Sequence, residues 1–150
     1  MSMADRARPL SSDVEAIRAV TTAIEAAHRV KDAAAIARHY APEAVIADLS
    51  PPLVRRGMDV GAMQAWLDGW KGPVELEMRD LVIEADGDLA LCHGLQYVRT
   101  RTREGEEAAW WSRITLALAR RRDGWQIIHE HNSVPFYMDG SFRAAIDLDP

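Results

Sequence analysis

Cysteine is almost missing from this chain. Cys92 is the single one in 150 residues, which excludes an internal disulfide and any metal centre built from clustered thiolates. Set in an apolar run, Cys92 reads as a small core residue. Long hydrophobic runs are missing too, and none approaches the ~20 residues that a membrane-spanning helix needs. The opening MSMADRARPLSSD has no apolar segment of the secretory kind, so the expected location is cytoplasmic. Basic excess is absent: the net charge of −5 disfavours nucleic acid or an anionic membrane as partner. Gly57, Gly61, Gly87 and Gly94 have no phosphate-binding spacing. No Gly-x-Ser-x-Gly elbow occurs, and no Ser–His–acid arrangement stands out. No repeat, low-complexity tract or Pro/Gly/Ser-rich linker divides the chain. A length of 150 residues is enough for one domain with a substantial core.

What is present falls into two halves with different periods. Residues 1–11 read as a flexible N-terminal tail. Ser12-Asp13-Val14-Glu15 has capping-box spacing, and Val14, Ile17, Val20, Ile24 and Ala27 or His28 follow at helical intervals. A break near Lys31-Asp32 starts a short second helix, Asp32 to Tyr40, stopped by Pro42. Ala44 to Asp48 reads as a short strand, and the prolines of LSPPLVRRG (49 to 57) deny further pairing. Asp59 caps a third helix ending near Trp70. After Gly72-Pro73 the pattern becomes extended, with strands expected over Val74 to Glu84, Leu89 to Thr102, Ala108 to Arg121 and Trp125 to Val134. The turns between them, Asp86-Gly87-Asp88, Glu104-Gly105 and Asp123-Gly124, have hairpin chemistry. Helices first, then an antiparallel meander, is an α+β order. Residues 136–150 form a C-terminal tail.

Several polar residues sit where a core strand does not need them. Alternation places Leu91, His93, Leu95, Tyr97 and Arg99 on one face, and Trp111, Arg113 and Thr115 on one face of the next strand. Mixed aromatic and cationic faces are read here as cavity lining, in which a few polar groups orient a ligand among apolar walls. The structural alternatives are an ion pair between Arg113 and Glu130, and a His93 satisfied by backbone. In the closing strand His129-Glu130-His131-Asn132, alternation sets Glu130 and Asn132 against His129 and His131, and a bulge would exchange the two. Two histidines at i, i+2 without a third ligand make a poor metal site, so none is expected. Arg120-Arg121-Arg122 reads as a solvated basic turn. Asp48 closes a strand of small and apolar residues. It is either a desolvated base or a strand-end cap for the loop backbone.

The order of elements, the segment DAAAIARHYAPEAVIAD (32 to 48) and the ending RRDGWQIIHEHNSVP (121 to 135) resemble the nuclear transport factor 2-like superfamily. The similarity is to SnoaL-like proteins and ketosteroid isomerase homologues, and it spans residues 12–135. It implies a cone-shaped α+β fold, three helices packed against a strongly curved, mainly antiparallel sheet, with a ligand pocket and a homodimer formed through the sheet. It implies that Glu130 and Asn132 face the pocket. Ala44-Val45-Ile46-Ala47-Asp48 resembles the isomerase strand that ends in the general base, which puts Asp48 in that role. The isomerase's oxyanion tyrosine falls on Ile24, and its second donor, a protonated aspartic acid, has no counterpart in WWSRITLALARR. Steroid isomerisation is therefore not implied. Tyr97-Val98-Arg99 resembles a pocket segment of the calcium/calmodulin-dependent kinase association domain, which favours an anionic ligand.

The resulting expectation is a pocket for a small, partly apolar molecule bearing a carbonyl or carboxylate, with no cofactor. Asp48 would move a proton at carbon while Arg113, helped by His93 or Tyr97, stabilises the oxyanion. Tyr97, Arg99, Trp111, Glu130, Asn132 and Trp66 are the ligand-binding candidates. The competing expectation is a non-catalytic binding or dimerisation module, with the pocket plugged by Trp66, Trp111 or Phe136.

Overall fold

The structure, a computed structural model, describes residues 10–150. The N-terminal tail expected over residues 1–11 therefore lies outside the described residues up to position 9, while Leu10 and Ser11 already belong to the first helix. That helix, α1 (Leu10–Arg29), contains Ser12 in its opening turns, so Ser12 is not its cap. Ile17, Thr21, Ile24 and His28 form its buried stripe. It ends where Lys31 takes a positive φ of 58° and the Asp32 N–H donates to the Ala27 carbonyl at 2.9 Å, a left-handed stop. Asp32 then caps α2 (Ala33–Ala37) by accepting from the Ala35 N–H.

Strand β1 (Tyr40–Ala47) begins at Tyr40, not at Ala44, so the second helix is shorter than expected. The reason is tertiary. Tyr40 pairs with Ile127 in parallel, and Pro42 falls in an irregular stretch of that pairing, where its missing N–H costs no ladder bond. The loop after β1 is not wholly unpaired either: β2 (Arg55–Arg56) lies antiparallel to Val45 and Ile46. Asp59 caps α3 (Val60–Asp68) as expected, accepting from the Ala62 N–H at 2.9 Å. Then come β3 (Glu75–Asp86), β4 (Leu89–Arg101), β5 (Glu107–Arg121) and β6 (Gly124–Ser133). The class is α+β, with a six-stranded, mainly antiparallel sheet in the order β2-β1-β6-β5-β4-β3. Its one parallel pairing brings β1 back against β6.

The helical side of the sheet carries the core, including Cys92, Ile114, Leu116, Leu118 and Ile127, closed over by Ile17, Ile24, Ile36 and Leu67. Each of these larger aliphatic side chains contributes about 1.5–3 kcal/mol by leaving water. Burial pushes the Cys92 thiol up to about 11, so it remains protonated and inert at neutral pH. Arg120 ties two layers together, reaching Asp13 of α1 at 2.8 Å and stacking 4.5 Å over Trp125. It is a clamp, not part of a freely solvated turn.

Two bulges set the faces of the strands. In β3, Asp80 and Leu81 together oppose Gly94 of β4, and Asp80 has a φ of 52°. In β6, Ile128 is an insertion between Ile127, which faces Leu118, and His129, which faces Ala117. Gly94 is required by the first bulge, because a Cβ there would lie 2.7 Å from the Arg79 carbonyl oxygen. We expect Gly94→Ala to destabilise the fold by about 1–3 kcal/mol. At roughly 2–4 °C per kcal/mol for a chain of this size, calorimetry should record a clear fall in Tm. An unchanged Tm would show that β3 relaxes away from the methyl group.

Candidate functional site

A cavity of about 310 Å3 lies between the helices and the inner face of the sheet. Exposed residues Leu49, Ser50, Asp59 and Trp66 stand at its mouth, and buried Ile24, Ile36, Ile46 and Val98 form its floor. Met58, Met63, Met78 and Trp110 complete the apolar wall. Trp66, Trp70 and Trp110 form a run of ring contacts at about 6 Å, so Trp66 walls the cavity without filling it.

The polar end is built by β1, β2 and β6. The parity of β6 changes at Ile128, and after it Glu130 and Asn132 turn inward opposite Leu116 and Ile114. Tyr40, from the start of β1, donates its phenolic hydrogen to Glu130 Oε1 at 2.7 Å. Burial in apolar surroundings raises the Glu130 carboxyl to about 7. The Tyr40 hydrogen bond opposes that shift, the nearby Asp48 charge adds to it, and Arg55 subtracts from it. The Tyr40 phenol is held well above its usual range, first by burial and then by Glu130 beside it. Asp48 has different surroundings. Arg55 Nη2 donates to both its oxygens, at 2.7 and 2.6 Å, and the Ser50 N–H and hydroxyl donate to Oδ1. Asp48 thus caps the loop, the second of its two readings, and its carboxylate also lines the cavity. Among the described residues no group of three or more His, Cys, Asp or Glu is placed to hold a metal ion.

Asp48, Glu130, Asn132 and Trp66 are brought together around this cavity. His93, Tyr97, Arg99, Trp111 and Arg113 are not, and the expectation that they line it is corrected. They occupy the outer face of the sheet. His93, Arg99 and Arg113 are exposed, Arg99 pairs with Glu75 at 3.6 Å, and Tyr97 stacks on Trp111 at 4.6 Å. The physical reason is that an antiparallel sheet solvates one face, so a mixed aromatic and cationic row is an ordinary outer surface. The inner face is Gln96, Val98 and Thr100 on β4 and Trp110, Ser112 and Ile114 on β5, and of its buried polar side chains Gln96 lines the cavity. An Arg113–Glu130 ion pair is excluded by the same geometry. Phe136 and Trp111, named as possible plugs, do not line the cavity.

Tyr40, Arg55, His28 and Gln96 also line it, and sequence reasoning passed them over. Tyr40 was hidden by its assignment to a helix end. Read as a strand, the segment carries Ala44, Ile46 and Asp48 at alternate positions on one face. His28 stood on the apolar stripe of α1, four residues after Ile24, and an imidazole there was the available signal. Arg55 and Gln96 carried none.

Residues 17–137 match the SnoaL-like domain. The chain belongs to that family, within the nuclear transport factor 2-like superfamily. An NTF2-like protein of unknown function from Pseudomonas putida KT2440 is 30% identical, with 95% of this chain and 99% of that chain covered and a TM-score of 0.81. An NTF2-like superfamily protein from Salmonella enterica serovar Typhimurium LT2 is 17% identical, with coverage of 89% and 98% and a TM-score of 0.75. The association domain of C. elegans CaMKII is 19% identical, with coverage of 83% and 97% and a TM-score of 0.66. These last two likenesses show the fold alone. No curated protein matches the chain. No described helix is long and apolar enough to cross a membrane.

The raised Glu130 carboxyl has a consequence for stability. The folded chain holds this proton up to about pH 7, whereas an ordinary glutamate near 4.5 releases it earlier. Stability is therefore full below the ordinary value and declines as pH rises from about 4.5 to about 7, after which the decline stops. The loss is on the order of 3–4 kcal/mol. Glu130→Gln should remove that slope and exceed the wild type in stability at pH 8. Urea melts across pH 4.5 to 8 measure it, and parallel curves for the two proteins would contradict the assignment.

Proposed function

We propose that the cavity binds a small, partly apolar carbonyl compound and that Glu130 carries a proton to or from the carbon beside the carbonyl, with no cofactor. The observation that carries this reading is one carboxyl, raised to about 7 by burial, facing an apolar cavity and held by Tyr40. A group poised near neutrality exchanges a proton efficiently in both directions. As base, the Glu130 carboxylate takes the C–H proton, and the electron pair moves onto the carbonyl oxygen as an enolate. Returning the proton at another carbon completes an isomerisation. Loss of a neighbouring hydroxyl, which takes the proton back from Glu130 and leaves as water, instead gives dehydration, and attack on a second carbonyl, whose oxygen takes that proton, gives cyclisation. Tyr40 steadies the carboxylate by its hydrogen bond. Arg55 and the Asn132 amide are the donors at this end that meet a developing oxyanion, and Asp48 positions Arg55. In this assignment Asp48 is a positioning residue and the base role passes to Glu130.

Deuterium exchange into 2-tetralone in D2O, followed by mass spectrometry, tests it. The wild type should exchange the α-hydrogens above the buffer rate, with a profile rising to a plateau through about pH 7 as Glu130 ionises. The charged or titratable groups bearing on that titration are Tyr40, Asp48 and Arg55. Glu130→Gln should lose about 100-fold or more, while Arg113→Ala on the outer face should keep the wild-type rate. Full exchange by Glu130→Gln would remove Glu130 from the mechanism. Exchange by the wild type no faster than buffer would leave a binding module.

A second reading, compatible with the first, concerns assembly. We infer a homodimer through the outer face of the sheet. There Trp111 lies stacked between Tyr97 and the Arg79 guanidinium, Val82 and Leu91 are each 43% exposed, and Arg113 makes no ion pair among the described residues. The similar CaMKII domain is named for association. Trp111→Glu should convert dimer to monomer in sedimentation velocity. A wild type that sediments as a monomer at 100 μM (roughly, a concentration at which a micromolar dimer persists) would refute it.

A further inference from the structure

Beyond the polar end, three cavity side chains have hydrogen-bonding capacity that the protein does not use. His28 and Gln96 are each only 6% exposed, and both line the cavity. His28 Nδ1 lies 2.8 Å from the Ile24 carbonyl, which can only accept, so Nδ1 holds the ring proton. Nε2 is then a lone pair with no partner among the described residues. Burial lowers the imidazole's proton affinity and keeps it neutral, against a smaller opposing effect of that backbone bond. The Gln96 amide has no partner among the described residues, and Asn132 Oδ1 is buried without one. Buried polar groups are ordinarily bonded. Of these three, Asn132 Oδ1 is fully enclosed, and the other two line the same cavity, so a polar ligand there would meet them all.

The charges define the ligand further. Asp48, Asp59 and Glu130 are the carboxyl groups of the lining, and Arg55 is its permanent cation, already committed to Asp48. With Arg99 and Arg113 on the other side of the sheet, the lining sets these three carboxyl groups against one guanidinium, which disfavours an incoming carboxylate. The acceptor groups are in surplus, since His28 Nε2 and Asn132 Oδ1 both await a hydrogen.

We propose that this cavity selects neutral molecules that carry a hydrogen-bond donor, such as a hydroxyl group on an apolar ring system, and that His28, with Gln96 and Asn132, is the element that recognises the donor. This deepens the reading of the cavity as a ligand pocket and rests on it. The ligand hydroxyl donates to His28 Nε2, and the Gln96 amide, which both donates and accepts, completes the contact. The substrate class becomes a neutral hydroxylated carbonyl compound, and the carboxylate alternative is set aside. A site whose buried acceptor is left unpaired rejects the analogue lacking the hydroxyl, which is a stronger filter than shape.

Isothermal titration with 2-naphthol, 2-methoxynaphthalene and 2-naphthoate at pH 7.5 tests it. The wild type should bind 2-naphthol 10-fold or more tightly than the methyl ether, and more tightly than the carboxylate. In His28→Phe the ratio of naphthol to ether should fall to near one. Gln96→Leu, which leaves α1 untouched, should narrow it as well and keeps the test decisive if His28→Phe does not fold. Retention of the full ratio in the folded variants, or tightest binding of 2-naphthoate, overturns the selection and leaves the pocket standing. Binding of none of the three by the wild type overturns the pocket reading and this inference together.

Discussion

Ile128 has no partner across β5, and that inserted residue governs which chemistry meets the cavity. Before it, Trp125 and Ile127 point inward; after it, Glu130 and Asn132 do, and the two histidines turn away. Without the bulge, a strand that buries Ile127 would also bury His129 and His131. The parallel return of β1 then completes the arrangement by placing Ile46 opposite Glu130 and Tyr40 opposite Ile127. His129 is occupied by the same pairing, since its Nδ1 donates to the Val45 carbonyl at 2.8 Å. The succession of titratable residues in HEHN is thus split between an inward carboxylate and outward imidazoles.

The carboxyl groups of Asp48 and Glu130 line one cavity and differ in what surrounds them. Asp48 has a guanidinium and two Ser50 donors on its oxygens, so its negative charge is met locally. Glu130 has one phenol and apolar walls, so its negative charge is met poorly. Divergent environments of this kind let neighbouring acids take different parts in a proton transfer. The apolar wall contributes as well: water-poor surroundings raise the carboxyl, and flexible methionine side chains adapt to flat molecules of varied outline.

The fold was legible because its signals are local and redundant. Hairpin turns at Asp86-Gly87, Glu104-Gly105 and Asp123-Gly124, the Asp59 cap and the change of period at Gly72-Pro73 all lie in short windows. The site was only half legible. Asp48, Glu130, Asn132 and Trp66 line the cavity, but the cations assigned beside them do not, because alternation separates two faces without saying which is solvated. That decision depends on where the helices pack, and α1 covers the Leu76 and Val98 side. Tyr40 and Arg55 were hidden for a related reason. Each owes its place to strand pairing, Tyr40 with the distant Ile127 and Arg55 with Ile46 of the preceding strand.

Cys92 lies in mid-sheet with no exposed surface and a thiol raised to about 11. Thiol-directed alkylating reagents should find no cysteine to attack while the chain is folded. The protein therefore offers a silent background for site-directed spectroscopy. A cysteine introduced at Leu53, whose side chain is 96% exposed on the loop beside the mouth, would be the sole accessible thiol. A fluorophore attached there would report on events at the entrance from a single known address.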